Sequence, residues 1–249
     1  MDVAGKVALV TGGGTGLGRA ICLLLARQGM RVAVNYSRSE AEANATAAEA
    51  RALGAQAFVV RADVADESAV RAMVARVVEE WGRLDLLVNN AGVTRYVPIE
   101  DVEALRAEDF DRILAVNVKG AFLCSQAVAP HMRANGIGKI VNIASNSAFP
   151  PPRGSSIPYM VSKAGLVMLT SCLARALGPT IRVNAVAPGW LDTPWLERYF
   201  PPEVRQSILD NPTNQPVDLD DVAAAVLHFA QNDSANGQTL VVDNGESLS

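Results

Sequence analysis

Tyr159 and Lys163 stand four residues apart at the start of an apolar segment. On a helix this spacing puts both side chains on one face, so the ammonium can approach the phenol ring. A free tyrosine keeps its proton until pH ~10 and is a poor acid or base near neutrality. A cation about 5 Å away contributes about 3 kcal/mol at an effective dielectric of about 20, which lowers a phenol pKa by roughly two units. The pair therefore predicts a proton-transfer device for neutral pH, although Tyr and Lys at this spacing are also common on solvated helix faces.

A glycine-rich turn provides a second site for chemistry. Residues 6–10 are a short apolar run that predicts a buried strand, and residues 19–28 predict a helix. Between them lies Thr11-Gly12-x3-Gly16-x-Gly18, which differs from the general GxGxxG dinucleotide pattern. Glycines after a strand let the backbone approach a pyrophosphate, and the free N–H groups of the helix favour its charge. The turn predicts a phosphate-binding loop, whereas a glycine-rich turn in isolation is more often only a turn.

The second predicted strand, residues 31–35, is where a ribose-recognition residue belongs. No acid stands at Asn35, Tyr36 or Ser37, and Arg38 comes next. An aspartate there would accept from a ribose 2′-hydroxyl and repel a 2′-phosphate, whereas Arg38 with Ser37 could hold that phosphate. We expect NADP(H) and regard NAD(H) as the less favoured cofactor. The alternative is that Arg38 is an ordinary solvated loop residue.

The remaining segments alternate strand and helix along the whole chain. Strands are predicted at 57–60, 84–88, 139–143, 181–186 and 239–242, with helices between them and no break in composition. One of these helices is predicted to be capped by Asp66 and to end before Gly82, and another to span 109–128. This pattern predicts an α/β fold, with residues 1–249 as a single doubly wound domain around a parallel sheet. Residues 194–216 interrupt the alternation with prolines and aromatics, and we interpret them as a substrate lid. The proline-rich loop 149–154 is expected to wall a pocket.

Composition excludes several classes of function. The net charge of −4 and the pI near 5.3 argue against general binding to nucleic acid or to anionic membranes. No uninterrupted apolar run reaches the ~18 residues that span a bilayer, and the N-terminus lacks the layout of a signal peptide. We therefore expect a cytoplasmic protein without a membrane partner. His131 and His228 stand far apart without Cys or paired acidic neighbours, so no metal site is expected.

Several motifs taken together resemble the short-chain dehydrogenase/reductase family. They are the glycine turn, Asn89-Asn90-Ala91-Gly92, Asn117, Ser145, Tyr159-x3-Lys163 and Pro188-Gly189. Each motif alone is weak, but six in the right order are specific, and they cover essentially the whole chain. The resemblance implies a seven-stranded Rossmann sheet, a nicotinamide cofactor and a homotetramer or homodimer.

The resemblance also implies roles for individual residues. Tyr159 would be the acid in carbonyl reduction and the base in alcohol oxidation, and Ser145 would bind the substrate oxygen, with Ser147 as the second choice. Lys163 would lower the Tyr159 pKa and bind the nicotinamide ribose, while Asn117 would hold a water that connects Lys163 to solvent. The implied cofactor contacts are Gly12, Thr15, Gly16, Leu17, Gly18, Ser37, Arg38, Asp63, Val64, Asn89, Ala91, Gly92, Tyr159, Lys163, Pro188, Gly189, Leu191 and Thr193.

The predicted function is an NADP(H)-dependent oxidoreductase that interconverts a ketone and a secondary alcohol. The relatives that look most similar are 3-oxoacyl-(acyl-carrier-protein) reductases. A sugar, polyol or steroid dehydrogenase remains an alternative within the family. A regulatory protein that binds a dinucleotide without catalysis is an alternative from another class, although such a protein has no need for Tyr159 and Lys163 together.

Overall fold

Seven parallel strands form the centre of the protein. The computed structural model describes residues 1–151, 154–210 and 215–248. The sheet has the order β3-β2-β1-β4-β5-β6-β7, and each neighbouring pair is parallel. The strands are β1 (Val7–Val10), β2 (Arg31–Tyr36), β3 (Ala57–Arg61), β4 (Leu86–Asn89), β5 (Gly138–Ile143), β6 (Ile181–Pro188) and β7 (Thr239–Val242). The predicted α/β fold, a doubly wound Rossmann sheet of seven strands, is confirmed.

Helices connect the strands and cover both faces of the sheet. They are α1 (Gly16–Arg27), α2 (Glu40–Ala52), α3 (Glu67–Trp81), α4 (Ala107–Leu114), α5 (Ala121–Ala134), α6 (Ile157–Leu177), α7 (Pro194–Tyr199), α8 (Pro202–Leu209) and α9 (Leu219–Gln231). Short 3₁₀ turns lie at Val102–Ala104, Asn146–Ala148 and Glu246–Leu248. The predicted lid, residues 194–216, contains α7 and α8, while its residues 211–214 lie outside the described part of the chain.

Alternate side chains of the central strands enter two separate cores. Ala8 and Val10 of β1 pack with α1, α2 and α9, whereas Val7 and Leu9 pack with α3, α5 and the end of α6. Because both faces of the strand are covered, its sequence is continuously apolar instead of alternating. The carboxyl ends of the strands are left to carry polar groups.

Helix α3 illustrates how local sequence sets the element boundaries. The Asp66 carboxylate accepts hydrogen bonds from the backbone N–H groups of Ser68 and Ala69, which satisfies two donors of the first turn. At the other end Gly82 has φ 71°, a left-handed conformation that glycine adopts without strain. The predicted start and end of this helix are confirmed.

Two helical stretches differ from the sequence predictions. The helix predicted over 109–128 extends over Ala107–Ala134 and contains a π-helical turn, Ala115–Gly120, which holds Asn117. This stretch and Ile157–Leu177 are long and apolar enough, by length and mean hydropathy, to cross a membrane. The expectation of no membrane span rests on uninterrupted apolar runs, whereas these two stretches meet a criterion of length and mean hydropathy alone. Both stretches pack against other elements of the fold, and 56% and 39% of their most apolar windows are buried.

Candidate active site

A cavity of about 630 Å³ opens at the carboxyl edge of the sheet. It lies where the strand order reverses between β1 and β4, which is the crevice in which doubly wound sheets bind ligands. Its walls come from the glycine turn, the ends of β2, β4, β5 and β6, the start of α6, and α7. The volume is within the range of small-molecule sites, ~300–1,000 Å³.

The glycine turn is shaped for close approach of the backbone. Gly12 and Gly16 have φ of 62° and 49°, which side chains rarely adopt. A Cβ on Gly18 would lie 2.2 Å from the Gly12 carbonyl oxygen, so only glycine fits at this crossing of turn and helix. Thr15 precedes α1 and its side chain does not cap the helix. The first N–H groups of α1 therefore have no side-chain cap at the edge of the cavity, which suits an anion.

The end of β2 presents hydroxyl and guanidinium groups to the cavity. The amide at Asn35, which stands where an acid could be, has a structural role. Asn35 is buried, and its amide accepts from Gly12 N and donates to the carbonyls of Tyr36, Val60 and Ala62. It braces the glycine turn against β3. Ser37 and Arg38 are exposed and line the cavity. Arg38 has no ion pair with any residue within 1–151, 154–210 or 215–248.

The two asparagines after β4 have different surroundings. The Asn89 side chain is buried away from the cavity and donates to Ser125 Oγ at 3.2 Å and Asn142 Oδ1 at 2.8 Å. The structure thus places this side chain between β5 and α5, away from the cavity, although the resemblance implies a cofactor contact for Asn89. Asn90 lines the cavity instead, and its amide donates to the carbonyls of Thr11 and Gly12. The sequence does not reveal which of two adjacent asparagines at the end of a strand faces the cavity, so it could not separate the roles of Asn89 and Asn90.

Ser145, Tyr159 and Lys163 meet at the centre of the cavity. Ser145 follows β5 and lines the cavity together with Tyr159 and Lys163. The Lys163 ammonium lies 5.5 Å from the centre of the Tyr159 ring and donates to the Ile143 carbonyl at 2.8 Å. The predicted approach of the ammonium to the phenol is therefore present.

The electrostatics of this group differ from the expectation that Lys163 lowers the Tyr159 pKa. Burial raises the pKa of Tyr159 to about 12, and its hydrogen bond to Ser145 opposes the rise. Burial also lowers the pKa of Lys163 to about 8. Loss of hydration at the buried phenol sets the direction here. The pKa of Tyr159 therefore lies above its usual value, which is opposite to the predicted lowering.

Asn117 lies behind the cavity wall. Its Oδ1 accepts from Val93 N at 2.9 Å, and its Nδ2 donates to the Val93 carbonyl and to Ser162 Oγ, both at 3.0 Å. A Cβ placed on Gly92 would have Asn117 Oδ1 at 3.6 Å and Lys163 Nζ at 3.8 Å, so both polar groups approach the same point. Asn117 therefore ties the segment after β4 to α6 beside Lys163, and its role through a water stays a prediction.

The two candidate serines occupy different positions. Ser145 Oγ accepts from Ser147 N at 3.1 Å and caps the short turn Asn146–Ala148. Ser147 also lines the cavity, but the hydrogen bond of Tyr159 is to Ser145. The geometry therefore favours Ser145 over Ser147 as the serine that binds the substrate oxygen.

The C-terminal segment brings two acids to this wall, which the sequence patterns did not indicate. Asn146 donates to Glu246 Oε2 at 2.8 Å and to Asp243 Oδ2 at 3.5 Å. Glu246 lines the cavity, and a Cβ on Gly189 would approach within 3.1 Å of its Oε2. Burial raises the pKa of Asp243, but the hydrogen bonds that its carboxylate accepts from Ser247, Gly245 and Asn146 outweigh that effect and hold the pKa below its usual range. No short-range motif links a terminus to a strand end 100 residues away.

The other predicted cofactor residues lie along the cavity. They are Leu17, Asp63, Val64, Ala91, Gly92, Pro188, Gly189, Leu191 and Thr193. Asp63 is also ion-paired with Arg112 at 3.0 Å. Of the loop 149–154 that was expected to wall the pocket, Gly154 lines the cavity, while residues 152 and 153 lie outside the described part of the chain.

Fold and cavity together define a doubly wound α/β protein with a nucleotide-type crevice and a Ser-Tyr-Lys group beside it. A family model described as short chain dehydrogenase matches residues 6–203. The chain belongs to the short-chain dehydrogenase family, and it is an oxidoreductase of that family.

Individual relatives match this chain over nearly their full length. The chain is 40% identical to (2S)-((R)-hydroxy(phenyl)methyl)succinyl-CoA dehydrogenase subunit BbsD from Thauera aromatica, covering 100% of this chain and 99% of that protein. It is 36% identical to the 3-oxoacyl-(acyl-carrier-protein) reductase of Staphylococcus aureus, covering 96% and 97%. A short chain dehydrogenase from Burkholderia cenocepacia, solved in complex with NADP, has a TM-score of 0.89 at 39% identity, with 100% of both chains covered.

Proposed function

We propose that this protein is an NADP(H)-dependent reductase that converts the ketone of a 3-oxoacyl thioester to a secondary alcohol, with Asn117, Ser145, Tyr159 and Lys163 as the catalytic group. The observation that carries the proposal is that the Tyr159 phenol and the Ser145 hydroxyl line one cavity with the glycine turn, with the Lys163 ammonium 5.5 Å from the centre of the Tyr159 ring. A substrate bound in this cavity with its carbonyl oxygen beside Ser145 and Tyr159 could accept a hydrogen bond from each.

Tyr159 is suited to act as the acid. With a pKa of about 12 its phenol is protonated at neutral pH and can give a proton to an oxygen that gains negative charge. Ser145 can donate a hydrogen bond to the same oxygen, which stabilises its developing charge. Lys163, with a pKa of about 8, is still mainly charged at pH 7 and favours the phenolate left behind. A bound nicotinamide would supply the hydride for this reaction.

The residues of the cavity fit a phosphorylated dinucleotide. The glycine turn leaves no room for side chains at Gly18, and the start of α1 offers N–H groups for a pyrophosphate. Arg38 and Ser37 are available to a 2′-phosphate, and no acid stands at the end of β2 to bind a 2′-hydroxyl. Glu42 lines the same cavity from α2, and its negative charge opposes a phosphate there. The solved relative with bound NADP supports the same preference.

The thioester part of the proposal is supported by the relatives. Of the two relatives described above, one is named for a succinyl-CoA substrate and the other for a 3-oxoacyl group on a carrier protein. Both names contain an acyl thioester.

The proposal is tested by following the absorbance of the reduced nicotinamide with an acetoacetyl thioester, using NADPH and NADH in parallel. We expect wild type to consume NADPH. In an Arg38→Ala variant the KM for NADPH should rise about tenfold, since hydrogen bonds to charged groups contribute ~1.5–3 kcal/mol. The control is Arg61→Ala, because Arg61 is an exposed arginine at the end of β3 that does not line the cavity. Consumption of NADH alone, or equal effects of the two variants, would overturn the cofactor assignment.

We also propose the organisation that the sequence predicts: one domain over residues 1–249, with 194–216 as a lid over the substrate, in a cytoplasmic homotetramer or homodimer. Phe122 on α5, and Val161 and Met168 on α6, are exposed apolar side chains on the two long helices. A second copy of the chain packed on these helices would cover them without a membrane. Sedimentation of the purified protein without detergent tests this, and a monomer would contradict it.

A further inference from the structure

Aromatic residues are scarce in this chain but are concentrated at one wall of the cavity. They make up 5% of the sequence. Two of the three tryptophans, Trp190 and Trp195, line the cavity together with Tyr199 and Phe200. Trp195, Tyr199 and Phe200 lie in or next to α7, on the segment interpreted as the lid, and Trp190 lies just before that segment. A chain with few aromatic residues has therefore placed four of them where the substrate is expected.

Trp195 is the ring that lies beside the reacting group. Its centre is 5.8 Å from the centre of the Tyr159 ring. Its indole N–H donates to the Gly92 carbonyl at 3.3 Å, which fixes the plane of the ring against the segment that follows β4. Any group attached to a ketone that is hydrogen-bonded to Tyr159 therefore has Trp195 within reach.

The neighbouring rings hold Trp195 in place and extend the aromatic wall. Tyr199 lies 5.1 Å and Phe200 6.0 Å from Trp195, centre to centre, and both pairs are tilted instead of stacked face to face. Trp190 packs edge-on against Phe200 at 5.4 Å, and Tyr96 contacts Phe200 from the other side at 5.2 Å. Phe200 is buried at the centre of this group, whereas Trp195 and Tyr199 are only partly buried. Their ring surfaces that face the cavity are available to a ligand.

We infer that the acyl group of the substrate carries an aromatic ring close to the ketone, and that Trp195 is the residue that selects it. The inference rests on the proposed function and specifies its substrate class. Aromatic pairs prefer tilted or offset contacts at centroid distances of ~4.5–7 Å and are favoured over aliphatic contacts of the same area. A ring packed against the cavity-facing surfaces of both Trp195 and Tyr199 would make two such contacts, whereas an alkyl chain would make none. Two pairs of typical strength correspond to a preference of about tenfold.

The test compares two substrates with equal numbers of carbons in the acyl group: the N-acetylcysteamine thioesters of 4-phenyl-3-oxobutanoate and 3-oxodecanoate. Neither ketone is conjugated with a ring, so the two carbonyls are of similar intrinsic reactivity. The measurement is the ratio of their kcat/KM values with NADPH, for wild type, Trp195→Leu, Trp195→Phe and Trp81→Leu. Trp81 is the matched control because it packs on Phe58 at 4.7 Å and does not line the cavity.

We expect wild type to favour the phenyl substrate about tenfold, and Trp195→Leu to bring the ratio to within about threefold of unity. Trp195→Phe, which keeps a ring, and Trp81→Leu should both retain most of the preference. Equal use of the two thioesters by wild type, or a Trp195→Leu variant with the full preference, would overturn the inference while the proposed function stands. If the folded protein binds NADPH but reduces neither thioester, the proposed function fails as well.

Discussion

Replacing Lys163 with methionine should abolish activity but stabilise the fold at pH 7. The side chain is buried, and burial lowers its pKa from 10.5 to about 8. At 1.36 kcal/mol per pKa unit, holding the charged ammonium in the folded protein costs about 3 kcal/mol. Methionine removes that cost but also removes the hydrogen bond to the Ile143 carbonyl, which contributes about 1 kcal/mol. We expect a net gain of about 2 kcal/mol in the free energy of unfolding.

The pH dependence gives this prediction its specific signature. Because the folded pKa of Lys163 lies below the unfolded one, the cost is present in full below about pH 8. Between about pH 8 and 10.5 the unfolded chain binds more protons than the folded one, so wild type gains stability as the pH rises. The variant has no such group. Its advantage should therefore shrink from about 2 kcal/mol at pH 7 to near zero by about pH 9.5.

Urea denaturation of wild type and Lys163→Met, at one protein concentration and at several pH values from 6.5 to 9.5, measures this difference. Lys139→Met is the control, since Lys139 is equally buried but is bonded to Asp233 and to the Asn232 carbonyl. Losing those charge-assisted bonds should destabilise the control by ~1–3 kcal/mol at every pH in the range. A Lys163→Met protein that is less stable than wild type at pH 7, with a difference that does not change with pH, would refute the reasoning.

Two further predictions concern the cavity, and each compares two substitutions. Gly18→Ala should weaken NADPH binding at least tenfold, because the new Cβ would lie 2.2 Å from the Gly12 carbonyl oxygen and displace the glycine turn; Gly165→Ala, whose Cβ meets only Val118 Cγ2 at 3.6 Å, should leave the affinity unchanged in the same fluorescence titration. Ser145→Ala should lower kcat ~10²–10³-fold, since it removes a donor to the developing oxyanion, and Ser147→Ala should lower it less than tenfold. Steady-state kinetics on both serine variants decide between them, and a larger loss for Ser147→Ala would reverse the assignment.

Much of the fold could be predicted because the signals are local. The caps of α3 at Asp66 and Gly82 are set by residues adjacent to the helix ends. The strands are short, continuously apolar runs bounded by glycine or polar residues, which is what a sheet covered on both faces requires. The four-residue spacing of Tyr159 and Lys163 predicts their approach because helix geometry alone fixes it.

The sequence reasoning failed where tertiary packing decides the outcome. Asn89 and Asn90 are adjacent and chemically identical, yet one is enclosed beside α5 and the other faces the cavity. The direction of the Tyr159 pKa depends on burial, which a pairwise Coulomb argument between two residues does not include. Trp195 and Glu246 reach the cavity from segments with no strand-end signal, so only the three-dimensional structure brings them to the site.

The central claim is that Tyr159 supplies the proton to the substrate oxygen. The most direct measurement is the rate of NADPH consumption by Tyr159→Phe with the acyl thioester, together with NADPH binding by the same protein. We predict a loss of kcat of at least ~10²-fold, because general acid catalysis contributes ~10²–10⁴-fold, with NADPH affinity within about threefold of wild type. A Tyr159→Phe protein that turns over at the wild-type rate would contradict the account.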